Sequence, residues 1–204
     1  MSPRQYRMGA RADTIAATRD RIVRAAMELH AEQGVLATSW DEIAVRAGVS
    51  TATAYRHFSS LGELVPACAR TVFDIITPPT VTEARDQFAT LTSASARLEA
   101  LVRRSCHCYA MGEGWLHAAQ RERDFVPTLA DALAVIEATL DTLILAAVGT
   151  QVPRIDRQLL FVLCNFPFWK SLCDCGHSTR AAENVIVRLV HAEATRLELD
   201  HKEG

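Results

Sequence analysis

"VSTATAYRHF", residues 49–58, is an odd string for a helix. Its hydroxyls, β-branched residues and small alanines make a poor helix by propensity alone. Its surroundings nevertheless demand one. Upstream, Ser39-Trp40-Asp41-Glu42 is a capping box that opens a short helix, and Gly48 ends it after Ala47. Ser50 then caps a second short helix. Helix, tight turn at "AGVS" (47–50) and helix make a helix-turn-helix, which places its second helix in the major groove of DNA.

On that reading the composition has a purpose. Small or short side chains at Thr51, Ala52 and Ala54 let the helix backbone approach base edges. The hydroxyls of Ser50, Thr51 and Thr53 reach phosphate or base acceptors, and Tyr55 and His57 offer donors to the backbone. The same shape also occurs in proteins that never meet DNA, where Tyr55 would be a core aromatic. Phe58 is core on either reading.

Outward from this unit the chain reads as helix throughout. Ile15, Ile22, Val23, Ala26, Met27 and Leu29 recur with a helical period over 13–33, and Gly34 closes that helix. Ser60-Leu61-Gly62-Glu63 reads as a second capping box opening a helix toward Ile76. After a break at Pro78-Pro79, helices are expected over about 83–110, around Trp115, over 127–148, over 153–175 with a kink at Pro167, and from Ser178 to Leu199. The fold class is therefore all-α: a three-helix head followed by a larger helical bundle. The expected divisions are a flexible basic arm (1–13), the helix-turn-helix domain (14–60) and a body for ligand binding and dimerisation (61–204).

The formal net charge of −2 conceals an asymmetry, since residues 1–60 carry eight Lys+Arg against six Asp+Glu and the remainder is acidic. The longest apolar run, "LILAAVG" at 143–149, is far below the ~20 residues that span a bilayer. The N-terminus has Arg4, Arg7 and Arg11 but no apolar core of a signal peptide. A cytoplasmic address is expected, with the six cysteines as free thiols.

Residues 18–64 resemble the N-terminal domain of the TetR family of bacterial transcriptional regulators. The likeness rests on the Gly34 turn, the run from Thr38 to Ala44, "AGVS" at 47–50 and Tyr55, His57 and Phe58. It covers about a quarter of the chain; the rest matches only in length and helical pattern. The resemblance implies a DNA-binding head and a variable helical body that dimerises and holds an inducer. It also implies that Thr53, Tyr55 and His57 touch the operator backbone, with Thr51 and Ala52 nearest the bases. Thr38 and Ser39, at the start of the second helix, would face phosphates, and Ser50 and Arg56 complete the candidate interface. The family often has Lys near positions 51 and 61, where this chain has Thr51 and Leu61. The arginines of the arm either replace those charges by entering a minor groove or form a disordered tail.

In the body, the aromatics suit either core or an apolar cavity for a lipophilic or aromatic molecule. The candidates are Tyr109, Met111, Trp115, Phe125, Phe166 and Trp169, with His107 or His117 as a polar anchor. "CHC" (106–108) and "CDCGH" (173–177) suggest metal ligands or a redox switch, but on a helix Cys106 and Cys108 point to opposite sides. The reading is therefore incidental thiols, with no metal and no cofactor. An enzyme pairing Cys106 with His117 is the competing class, without a nucleophile motif, phosphate loop or paired carboxylates behind it. The expected protein is a bacterial homodimeric repressor, released from its double-stranded operator by a small molecule. Val185, Ile186, Leu189 and Val190 on the last helix are expected in the dimer interface.

Overall fold

The structure is a computed structural model that describes the backbone of residues 3–73 and 79–200, and side chains over 12–71 and 79–197. Among the described residues every regular element is an α-helix: α1 (Pro3–Gln33), α2 (Trp40–Ala47), α3 (Thr51–His57), α4 (Leu61–Phe73), α5 (Val81–Asp86), α6 (Ala94–Met111), α7 (Glu113–Glu122), α8 (Pro127–Val148), α9 (Arg154–Cys164), α10 (Phe166–Asp174) and α11 (Thr179–Asp200).

The chain forms two compact units. The first comprises 1–74 and 113–133, the second 75–112 and 134–204. The expected cut at 60/61 therefore falls in a different place: α4, α7 and the opening turns of α8 belong with the helix-turn-helix. In the first unit α1 packs on α2, α4 and α7, and α2 packs on α3. Its core takes Ile22, Ala26 and Leu29 from α1, Ile43 and Ala44 from α2, Ala54 and Phe58 from α3, Leu64 and Val65 from α4, Trp115 and Leu116 from α7, and Leu129 and Leu133 from α8. Seven residues of α3 could not hold themselves helical. The packing on α2 and the Ser50 cap, whose hydroxyl accepts from Thr53 N–H at 3.2 Å, hold them instead.

In the second unit α6 and α11 form the main pair, with α9 and α10 against α11. The buried face of α6 is Leu98, Leu101, Val102, Cys106 and Tyr109, and that of α11 includes Ala182, Ile186, Val190, Ala194 and Leu197. Both spacings follow the helical period.

Several boundaries differ from the sequence expectation, each for a local reason. The N-terminus is not an irregular arm, because α1 begins at Pro3. A proline costs nothing in a first turn, and the Arg, Gln, Met and Ala that follow are good helix formers. The side chains of Arg4, Arg7 and Arg11 lie outside those described. The helix expected over 83–110 is two: α5, opened by a capping box of Thr80 and Glu83, and α6, capped by Ser93. Pro167 does not kink a continuous helix. Asn165 takes an extended conformation and its side chain accepts from Phe168 N–H at 3.0 Å, so Pro167 falls in the first turn of a new helix. Pro153 sits one residue outside α9, as its N-cap. At the start of α4, Glu63 reaches Ser59 N–H at 2.8 Å, one residue earlier than a Ser60 box requires.

Candidate nucleic-acid interface

The helix-turn-helix is built as its sequence dictates. Ser39 and Glu42 form the reciprocal capping box of α2, with Ser39 N–H to Glu42 Oε2 at 2.8 Å and Glu42 N–H to Ser39 Oγ at 3.2 Å. The hydrogen bonds from Ser39 hold the Glu42 carboxyl below its ordinary pKa. Gly48 ends α2 at φ +66°, and its N–H returns to the last carbonyls of the helix. Of the candidate residues on α3, Ala52, Tyr55 and Arg56 are exposed and Thr51, Thr53 and His57 are half-buried. Ala54 corrects the expectation that it faces base edges: it is completely buried, as is Phe58. At positions 54 and 58, one helical turn apart, α3 faces the core, so the residues between them look outward.

Within the head most of the candidate hydroxyls are already engaged. Thr51 Oγ1 donates to the Asp41 carboxylate at 2.6 Å, and Ser50 Oγ and Thr53 Oγ1 share a hydrogen at 2.9 Å. Thr38 Oγ1 donates to the Gly34 carbonyl at 2.6 Å, and Ser39 Oγ to Glu42 Oε2 at 2.7 Å. Their first task is to fix the turns. The groups that project from the unit are Tyr55, 47% exposed, with Arg56 and His57.

Three contributors were not singled out from sequence. The ring of Trp40 packs against Tyr55, tilted by 33° with centroids 4.8 Å apart, and so braces the phenol. The Arg19 guanidinium lies over the Phe58 ring, 4.1 Å from its centroid. Arg19 and Arg70 join His57, Gly62, Glu63 and Pro66 around an open cleft of about 410 Å³. Partial burial and the charges of Arg56 and Arg19 lower the His57 pKa below its ordinary value. The signal for Trp40 was available, since it lies inside the Thr38–Ala44 run. Arg19 and Arg70 carried none, because their approach to His57 depends on the packing of α1 and α4.

The candidate ligand residues of the body separate into groups. Tyr109, Phe166 and Trp169 meet in the second unit, with ring centroids 5.6–5.9 Å apart. The Tyr109 hydroxyl donates to the Cys164 carbonyl at 2.9 Å, and the fully buried indole N–H of Trp169 has no acceptor among the described residues. His107 and Met111 are exposed on the outer face of α6. Trp115 is buried in the first unit, while His117 and Phe125 of that unit are exposed. The pooled list is thus not one cluster, because neighbouring residues on a helix point in different directions.

The cysteines likewise diverge. Cys106 and Cys164 are buried, and burial pushes each thiol up to about 12. Such thiols stay protonated and unreactive at neutral pH. Cys175 caps α10 and Gly176 turns at φ +92°, so His177 lies beyond the helix that carries Cys173. Among the described residues no group of three His, Cys, Asp or Glu side chains could hold a metal ion. None of the described helices is long and apolar enough to cross a membrane.

The fold and the α2–α3 pair define a helix-turn-helix protein. Residues 22–68 match the family model described as bacterial regulatory proteins, tetR family. The whole fold is similar to solved structures. A putative TetR-family transcriptional regulator from Mesorhizobium loti MAFF303099 superposes with a TM-score of 0.64 at 23% identity, over 89% of this chain and 96% of that one. The fatty acid degradation regulator FadR from Bacillus halodurans gives 0.60 at 20% identity, over 84% and 93%. The multidrug binding protein EbrR, complexed with imidazole, gives 0.57 at 19% identity, over 84% and 88%. Among curated protein sequences none matches the chain.

Proposed function

We propose that this protein is a ligand-responsive DNA-binding transcriptional regulator, a repressor released from its operator by a small lipophilic or aromatic molecule. The single observation that carries the DNA-binding reading is the disposition of α3. Ala54 and Phe58 anchor it in the core, and the opposite side presents Ala52, Tyr55 and Arg56, with Tyr55 braced by Trp40. Base reading falls to Thr51 and Ala52, and positioning on phosphates to Thr53, Tyr55, Arg56 and His57. Ser50, Thr38 and Ser39 set the two turns from which these groups project.

The Tyr109–Phe166–Trp169 cluster in the second unit favours an aromatic or lipophilic effector, with the Trp169 N–H to orient it. That EbrR is described as a multidrug binding protein agrees with this reading. A ligand that binds one conformation of the protein better than the other shifts operator affinity by its differential binding energy. A thiol-responsive or enzymatic reading gains nothing from Cys106, which is buried and protonated.

The functional unit is a homodimer. Ile186 and Val190, assigned to the interface from sequence, are buried within the second unit itself. Among the described residues a different stripe lies exposed: Ile155, Leu159 and Val162 of α9 are 71%, 44% and 51% exposed, at spacings of four and three residues on one face. With the exposed Leu189 of α11, which packs beside α9, this stripe is the face offered to a second copy. The functional reading is tested by incubating purified protein with a random-sequence duplex pool and sequencing the bound fraction. Enrichment of an inverted repeat is expected of a dimeric reader; a bound fraction indistinguishable from the input pool would overturn it.

A further inference from the structure

Glu122, the last residue of α7, is buried, although nothing in its local sequence asks for burial. A carboxylate out of water needs partners, and Glu122 finds them in the turn between α1 and α2. Its Oε2 accepts the backbone N–H groups of Val35 at 2.8 Å and Leu36 at 3.0 Å. The Arg121 guanidinium approaches Oε1 at 3.4 Å. The turn is shaped to receive it. Gly34 stands at φ +92°, and a Cβ there would lie 2.0 Å from Glu122 Oε1, so only glycine lets the carboxylate in. At the other end of α7 a Cβ on Gly114 would lie 2.5 Å from the Ala31 Cβ, so α7 lies close along α1.

What the carboxylate holds leads directly to the candidate interface. The Gly34 carbonyl takes the Thr38 hydroxyl, the Val35 carbonyl takes Thr38 N–H at 3.2 Å, and Ser39 follows as the cap of α2. We infer that Glu122 is a positioning residue for DNA binding: through Val35 and Leu36 it clamps the α1–α2 turn and so fixes where α2 and α3 meet the duplex. A change in α7 that withdraws the carboxylate would release that turn without touching any residue that faces DNA. This inference rests on the DNA-binding reading above.

The test uses the full chain with Glu122→Gln, which keeps the shape and one acceptor oxygen, and Glu122→Ala, which keeps neither. The first readout needs no DNA. Amide hydrogen exchange at Val35 and Leu36 should quicken at least tenfold in Glu122→Ala, less in Glu122→Gln, with core amides such as Ile22 and Leu64 unchanged. The second readout is affinity for a duplex selected by the wild-type protein. It should fall about tenfold in Glu122→Ala, the equivalent of one hydrogen bond to a charged group, with partial rescue in Glu122→Gln. Unchanged exchange at Val35 and Leu36 would overturn the clamp. Quickened exchange with unaltered affinity would overturn its role in binding. If Glu122→Ala does not fold, Glu122→Gln alone decides by the same two readouts. Failure of the wild-type protein to select any duplex would count against the DNA-binding reading, while the exchange result would still judge the clamp.

Discussion

Two side chains of the head carry the sharpest tests. Tyr55 is exposed, braced by Trp40, and assigned to phosphate. Tyr55→Phe should weaken selected and unrelated duplexes alike by about 1 kcal/mol, the worth of one hydrogen bond. A gel-shift titration in which the variant equals wild type on both duplexes would remove Tyr55 from the interface. His30 is the other. It is completely buried, neither ring nitrogen has a partner among the described residues, and burial lowers its pKa to about 4 against a weaker opposing pull from Glu122. The unfolded chain then binds the proton at higher pH than the folded one. Stability is complete above about pH 6.5 and falls as pH drops toward 4, by roughly 3 kcal/mol for a shift of this size. The melting temperature of His30→Leu should therefore depend less on pH between 7 and 4.5 than that of wild type. Identical pH profiles would show that His30 is not the group responsible.

At the scale of elements, the break between α9 and α10 depends on Asn165, whose side chain caps the second helix. Asn165→Ala should cost about 1 kcal/mol of stability in urea denaturation, and an unchanged midpoint would contradict that role. Local devices were legible: the Ser39–Glu42 box, Gly34 and Gly48 at positive φ, and the Ser50 cap all act between residues a few positions apart. Asn165 was equally local, but the apolar period running through 153–175 hid it and left Pro167 to be read as a kink. Ser93, which divides α5 from α6, was hidden in the same way. Contacts across long stretches of chain had no signal at all. Glu122 meets a turn 86 and 87 residues away, and no periodicity shows that an acidic residue ending one helix is the partner of two backbone amides in another part of the chain.

For the whole molecule, the proposed dimer face is the outward side of α9. Leu159→Glu with Val162→Glu should place charges on the stripe and yield monomers by light scattering, with helicity retained because both side chains already face solvent. A dimer that survives the double substitution would move the interface elsewhere. Operator affinity should fall when dimerisation is lost, since one head then engages one half-site alone. The DNA-facing role of α3 is measured by fluorescence anisotropy of a selected duplex at several salt concentrations. Each phosphate neutralised contributes a slope of about −0.9 in log affinity against log salt. Saturable binding with a steep negative slope, reduced by about 1 in Arg56→Ala, is expected if α3 faces the duplex. Binding that is absent, or that does not change with salt, would contradict it.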